Sequence, residues 1–190
     1  MAPGMSAQVD GMSQRRVAID SNALTYLLDA VCDGYLPYAD PDPGGPERVA
    51  MFRVFCYLTE RPWVGPTVRT EYAAIVDTSK RDEHDRWTRY HLEDFELTGH
   101  AESVDARAKE LKNHHGHLDD CRVVAEAEAA GAEVLLTCDT RMIKHLGSRT
   151  GLALMRPTAF IASLAIPPGT PPHSVPADGN PLATQTWWRI

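Results

Sequence analysis

Short aliphatic runs alternate with longer stretches of helical periodicity along this chain, and that alternation leaves few folds open. The first run is Arg16-Val17-Ala18-Ile19-Asp20, followed by a helical stripe of Leu24, Leu27, Leu28 and Val31. A loop rich in Pro, Gly and acid spans Asp33 to Glu47, and a second helix carries Phe52, Phe55 and Leu58. A second strand fits Pro62 to Gly65. Pro66-Thr67 then opens a third helix, with Thr67 as its N-cap and Val68, Tyr72, Ile75 and Val76 as its apolar stripe. Residues 79 to 94 are mostly charged, with Trp87 and Tyr90 as the only large anchors, and read as a solvated helix leading to a weak strand near Phe95 to Leu97.

A helix bearing Val104, Ala108 and Leu111 precedes the segment from His117 to Asp139. There Asp119 and Asp120 stand at a helix start, Val123, Val124 and Ala127 form a buried face, and Gly131 ends the helix. The run E-V-L-L-T reads as a buried strand closed by Asp139. A short helix around Ile143, a strand at Leu152 to Met155 and a helix from Pro157 with Phe160, Ile161 and Leu164 complete the pattern. Strands and helices in this order predict an α/β fold of three layers, a mostly parallel sheet covered on both faces and joined by right-handed crossovers. Strand C-termini and helix N-termini then share one edge. Asp20 and Asp139 end strands, and Glu71 and Asp120 lie in early helix turns, so acids about fifty residues apart are expected to meet in one crevice.

Composition narrows what such a crevice can do. With 190 residues, 43% hydrophobic and 24% charged, the chain can bury a substantial core. We expect a flexible segment at 1–15, a folded domain at 16–166 and a Pro-rich tail at 167–190. The opening stretch lacks an apolar run of signal-peptide type, and no apolar run reaches membrane-spanning length, so a cytoplasmic protein with no membrane partner is expected. Cys32, Cys56, Cys121 and Cys138 form no C-x-x-C pair and read as reduced packing residues. The net charge of −7 argues against a surface that grips nucleic acid non-specifically. Two divalent cations would add four charges and leave −3.

Two carboxylates about 4 Å apart repel by roughly 4 kcal/mol at an effective dielectric near 20, so four converging acids need a counter-charge. Hard divalent cations supply it, and paired cations stabilise the attacking and leaving oxygens of a phosphodiester. The chain has no nucleophile elbow, no G-x-x-x-x-G-K-[ST] and no G-x-G-x-x-G, which removes acyl transfer, P-loop and dinucleotide readings. Without metal the acids should repel, so Asp139→Asn is expected to raise the melting temperature in EDTA.

The set D-S-N-A-L from Asp20, Glu71 in the third helix, D-C-R-V-V-A-E-A from Asp120 and L-L-T-C-D ending at Asp139 resembles the PIN-domain nucleases over residues 16 to 164. The resemblance implies that Asp20, Glu71, Asp120 and Asp139 bind magnesium or manganese, one or two ions, and activate water to cleave single-stranded RNA. Asn22 and Thr137 match the family's supporting polar positions. Arg141 stands where many members carry a further acid, which leaves it free for a phosphate contact. The resemblance also raises a small antitoxin as partner. The long loop at 33 to 47 and the tail exceed the compact toxin members, so an RNA-processing nuclease without an antitoxin stays open beside a toxin. A non-catalytic RNA- or protein-binding module is the alternative from another class.

Plainer roles compete with each of these. Asp20 alone could be an N-cap, and Glu71 a helix-dipole acid. Of Asp119 and Asp120, one is expected to cap the helix and the other to ligate, with Asp120 the ligand and Asp119 in reserve. His114, His115 and His117 lack the partners and separation of a zinc site and read as a solvated loop. In the tail, six prolines fall between Pro167 and Pro181, and Trp187 and Trp188 stand in the last four residues. Those two rings are expected to dock on a folded body, either their own domain or a second copy in a homodimer, and removing residues 182–190 should then cost stability or shift the oligomer.

Overall fold

The computed structural model describes residues 15–32, 37 and 43–190. Residues 1–14 of the expected segment at 1–15 and most of the loop at 33–47 therefore lie outside the described residues. Strands β1 (Val17–Ile19), β2 (Trp63–Val64), β3 (Glu93–Asp94), β4 (Val134–Leu136) and β5 (Ala153–Met155) form one parallel sheet in the order β3-β2-β1-β4-β5. Helices α1 (Ser21–Val31) and α2 (Gly45–Tyr57) connect β1 to β2, and α3 (Pro66–Ala73) and α4 (Thr78–His91) connect β2 to β3. Helices α5 (Ala101–Lys112) and α6 (Leu118–Ala129) lead to β4, α7 (Thr140–Leu146) leads to β5, and α8 (Pro157–Ser163) follows it.

All three residues of β1 and all three of β4 are buried. Successive strand side chains point to opposite faces, so both faces of the sheet centre are covered, as a parallel α/β sheet requires. Connections from β1 run outward to β3 and then return to β4 on the other side, which places a topological switch point between β1 and β4. Helix α2 packs on both α1 and α8, while α6 packs on α5 and α3.

Several boundaries differ from the expectation for identifiable reasons. Strand β3 is Glu93–Asp94 and not Phe95 to Leu97, because an exposed edge strand carries no apolar alternation to read. Its pairing rests on Glu93 N–H to the Pro62 carbonyl and Phe95 N–H to the Val64 carbonyl. Helix α3 stops at Ala73, since the Asp77 side chain accepts from Lys80 N–H and starts α4, leaving Val76 94% exposed. In α4, Trp87 packs on Phe55, whereas Tyr90 is exposed and anchors nothing. Thr67 is not an N-cap. Gly65 holds that position, with Pro66 at the first helical turn.

The tail docks on its own domain. Trp188 is fully buried and Trp187 nearly so, both against Phe52 of α2. Arg53 donates to the carbonyls of Trp187, Trp188 and Arg189, Tyr57 Oη accepts from Ile190 N–H, and the Trp188 indole donates to the Leu182 carbonyl. Burying two such rings is worth several kcal/mol at about 25 cal/mol per Å². Among the described residues no helix is long and apolar enough to cross a membrane.

Candidate metal centre at the carboxyl end of the sheet

Asp20 and Asp139 follow the two central strands and reach the switch point by the same local design. Asp20 N–H bonds the Leu136 carbonyl, extending the β1–β4 ladder by one residue, and its carboxylate caps α1 by accepting Ala23 N–H at 2.7 Å. Asp139 caps α7, accepting Arg141 N–H at 2.7 Å and Met142 N–H at 3.2 Å. Thr137, fully buried just after β4, joins them: its Oγ accepts Asp139 N–H at 3.0 Å and its hydroxyl bonds the Asp20 carboxylate.

The other two acids come from helices, Asp120 from a helix start and Glu71 from the second half of α3, where we expected an early turn. Asp120 sits in the first turn of α6, whose N-cap is His117, so neither Asp119 nor Asp120 is the cap. Glu71 is exposed on α3, lining an open cleft of about 420 Å³ with Pro66, Thr70, Asp119 and Arg122. Its charge opposes ionisation of Asp20 and of Glu126. Helix α3 is clamped to present it. At one end Thr67 donates both its N–H, at 3.1 Å, and its hydroxyl, at 2.6 Å, to the Glu126 carboxylate of α6. At the other, Tyr72 Oη lies 2.7 Å from Thr25 Oγ on α1. Gly65 makes room for this clamp, since a Cβ there would come within 2.5 Å of Glu126 Oε2.

Electrostatics divide the acids. Burial pushes the Asp20 carboxyl up from its ordinary 3.8 to about 7, and the charges of Asp120 and Glu71 push the same way, against the bonds from Thr137 and Ala23. Burial raises Asp139 too, but the N–H groups of Met142 and Arg141 and the charges of Arg141 and His115 outweigh it and hold the carboxyl below its ordinary range. The expected repulsion thus falls on Asp20. Asp139, which we expected to be relieved by neutralisation, is a satisfied helix cap.

His115 is the functional candidate that the sequence reading placed in a solvated loop. It is only 3% exposed, and its Nε2 lies 2.6 Å from Asp120 Oδ2 while its Nδ1 lies 3.3 Å from His145 Nδ1. His114 and His117 are exposed. The signal available was the interval of five residues from His115 to Asp120, which returns the loop to the start of its own helix. One donor atom each from His115, Asp120 and Asp139 lie within 4.8 Å of one another. Carboxylate oxygens joined by one imidazole, beside a buried carboxyl whose ionisation is opposed, are a donor set that fits a divalent cation. Asp20, buried, and Glu71, exposed, stand outside that tight triad. Asn22 is exposed on α1 and makes no side-chain hydrogen bond among the described residues, and Asp119 lines the cleft without joining the triad. Arg141 is exposed, close enough for its charge to lower Asp139.

No protein-family model matches this sequence, and no curated protein matches it. Among solved structures, FitAcB from Neisseria gonorrhoeae is similar with a TM-score of 0.47 and 15% identity, over 74% of this chain and 97% of that chain.

Proposed function

We propose that the chain is a divalent-metal-dependent nuclease that hydrolyses phosphodiester bonds of single-stranded RNA. The observation carrying this reading is the meeting of Asp120, Asp139 and His115 donors within 4.8 Å at the switch point, with Asp20 buried beside them under the charge of Asp120 and Glu71. A divalent cation held there would supply Lewis-acid polarisation of the phosphodiester and activation of water. In this reading Asp20, Glu71, Asp120 and Asp139 hold the cation, and Thr137 sets the relative position of the two strand-ending acids through its two hydrogen bonds. Arg141 offers an exposed cation beside Asp139 for a substrate phosphate. The cleft along Glu71, Thr70 and Arg122 gives an extended strand a path to the acids. The donors of this site come from one chain, and a small antitoxin would act on it as an inhibitor, not as a source of ligands.

The test uses end-labelled single-stranded RNA, duplex RNA and single-stranded DNA with added magnesium or manganese. Cleavage of the single-stranded RNA should stop with EDTA and fall by at least about 100-fold in Asp20→Asn, Glu71→Gln, Asp120→Asn and Asp139→Asn. Metal-dependent RNA binding with no cleavage under any condition would replace this reading by a non-catalytic binding module.

A further inference from the structure

Resting on the reading of this crevice as a cation site, but not on RNA as its substrate, we infer that His115 is a nitrogen ligand and that the site therefore selects a divalent first-row transition ion over magnesium. The imidazole enters the crevice as a built feature. It is buried, its main-chain carbonyl is contacted by Cys121 Sγ at 3.7 Å, and its ring is held at both nitrogens, by Asp120 at 2.6 Å and His145 at 3.3 Å. Rings of His117 and His145 flank it at 5.7 and 5.5 Å between centroids.

The contact between the Nδ1 atoms of His115 and His145 requires one to donate and the other to accept. If His115 donates from Nδ1, its Nε2 lone pair stands 2.6 Å from an Asp120 oxygen, which repels unless a cation lies between them, and this is the orientation of a metal-binding histidine whose second nitrogen is fixed by an outer partner. If His145 donates, Nε2–H bonds the Asp120 carboxylate instead. The two arrangements differ in which ring nitrogens carry the hydrogens. A cation that accepts nitrogen favours the first arrangement; one that prefers oxygen and keeps its water gains nothing from it. Magnesium belongs to the second kind, and manganese, cobalt, nickel and zinc bind imidazole with affinity rising broadly in the Irving–Williams order.

The test is metal binding by the full chain, read without any nuclease assay. Titration calorimetry should show manganese bound at least about 100-fold more tightly than magnesium, and His115→Asn should weaken manganese by about 10- to 100-fold while changing magnesium by less than about threefold. Pulsed electron paramagnetic resonance of the manganese-loaded wild type should show nitrogen-14 modulation, absent from His115→Asn. The spectrum of the wild type needs no variant, so the inference survives a substitution that fails to fold. Bound manganese without nitrogen-14 modulation overturns the inference alone, as does an equal loss of both ions in a His115→Asn protein that melts like wild type in EDTA. A wild type that binds neither ion overturns it together with the nuclease reading.

Discussion

Asp20 and Asp139 are near twins by position, each just beyond a central parallel strand, each capping the helix that follows, each bonded to Thr137 or its hydroxyl. Their environments pull them apart. Asp20 is 2% exposed and receives one backbone N–H, whereas Asp139 is partly exposed and receives two, with Arg141 nearby. The same local motif thus yields one acid that the fold resists ionising and one that it keeps ionised. A helix cap alone would have been served by either arrangement. A crevice that bound a cation would profit from both, since the ionised Asp139 would attract the ion and the buried Asp20 would release its proton to solvent on binding it.

The largest expected effect comes from neutralising the resisted acid. A folded-state pKa of about 7 against 3.8 means that protonated Asp20 favours the fold, fully below about 3.8, and that this contribution is lost as the pH rises through about 7. Metal-free Asp20→Asn should therefore melt several degrees above wild type near pH 8 and by much less near pH 5, corresponding to a few kcal/mol at most. A shift independent of pH, measured by calorimetry in EDTA, would show that the two acids are not set apart in this way. A smaller effect of opposite sign is expected at the twin. Asp139→Ala removes the cap on two backbone N–H groups and should lower stability by about 1 kcal/mol in EDTA, while Asp139→Asn, itself a good cap, should stay within a few tenths. Thermal melts of the pair sharpen the contrast, and a clear rise in either variant would return the repulsion to Asp139.

β1 and β4 were legible because Val17 to Ile19 and Val134 to Leu136 are aliphatic on both faces, a pattern that only a covered parallel sheet explains. Placement of Asp20 and Asp139 after strands and of Asp120 at a helix start followed from that topology, whereas Glu71 stands in the second half of α3, because that helix ends at Ala73. The individual electrostatics of the acids did not follow from the topology, because burial and hydrogen bonding arise from packing that periodicity cannot report. His115 was missed for the same reason: its neighbours His114, Gly116 and His117 are exposed, and only the fold turns its ring under α6. Glu126 was missed because an acid between Val123 and Ala127 reads as a break in an apolar stripe, whereas here it is the clamp on Thr67. The edge strand β3 left no pattern at all, its two residues being charged and exposed. The tail was partly legible, two adjacent tryptophans demanding a surface and the structure choosing Phe52 and Arg53 of the same chain.

The most direct test of the whole account is a calorimetric titration of manganese into the metal-free wild type and into Asp20→Asn, Glu71→Gln, Asp120→Asn and Asp139→Asn near pH 7.5. The account predicts saturable binding in the wild type and at least about a tenfold loss of affinity in the Asp20, Asp120 and Asp139 variants, with a smaller loss at the exposed Glu71. Wild-type affinity retained in both Asp20→Asn and Asp120→Asn would contradict it.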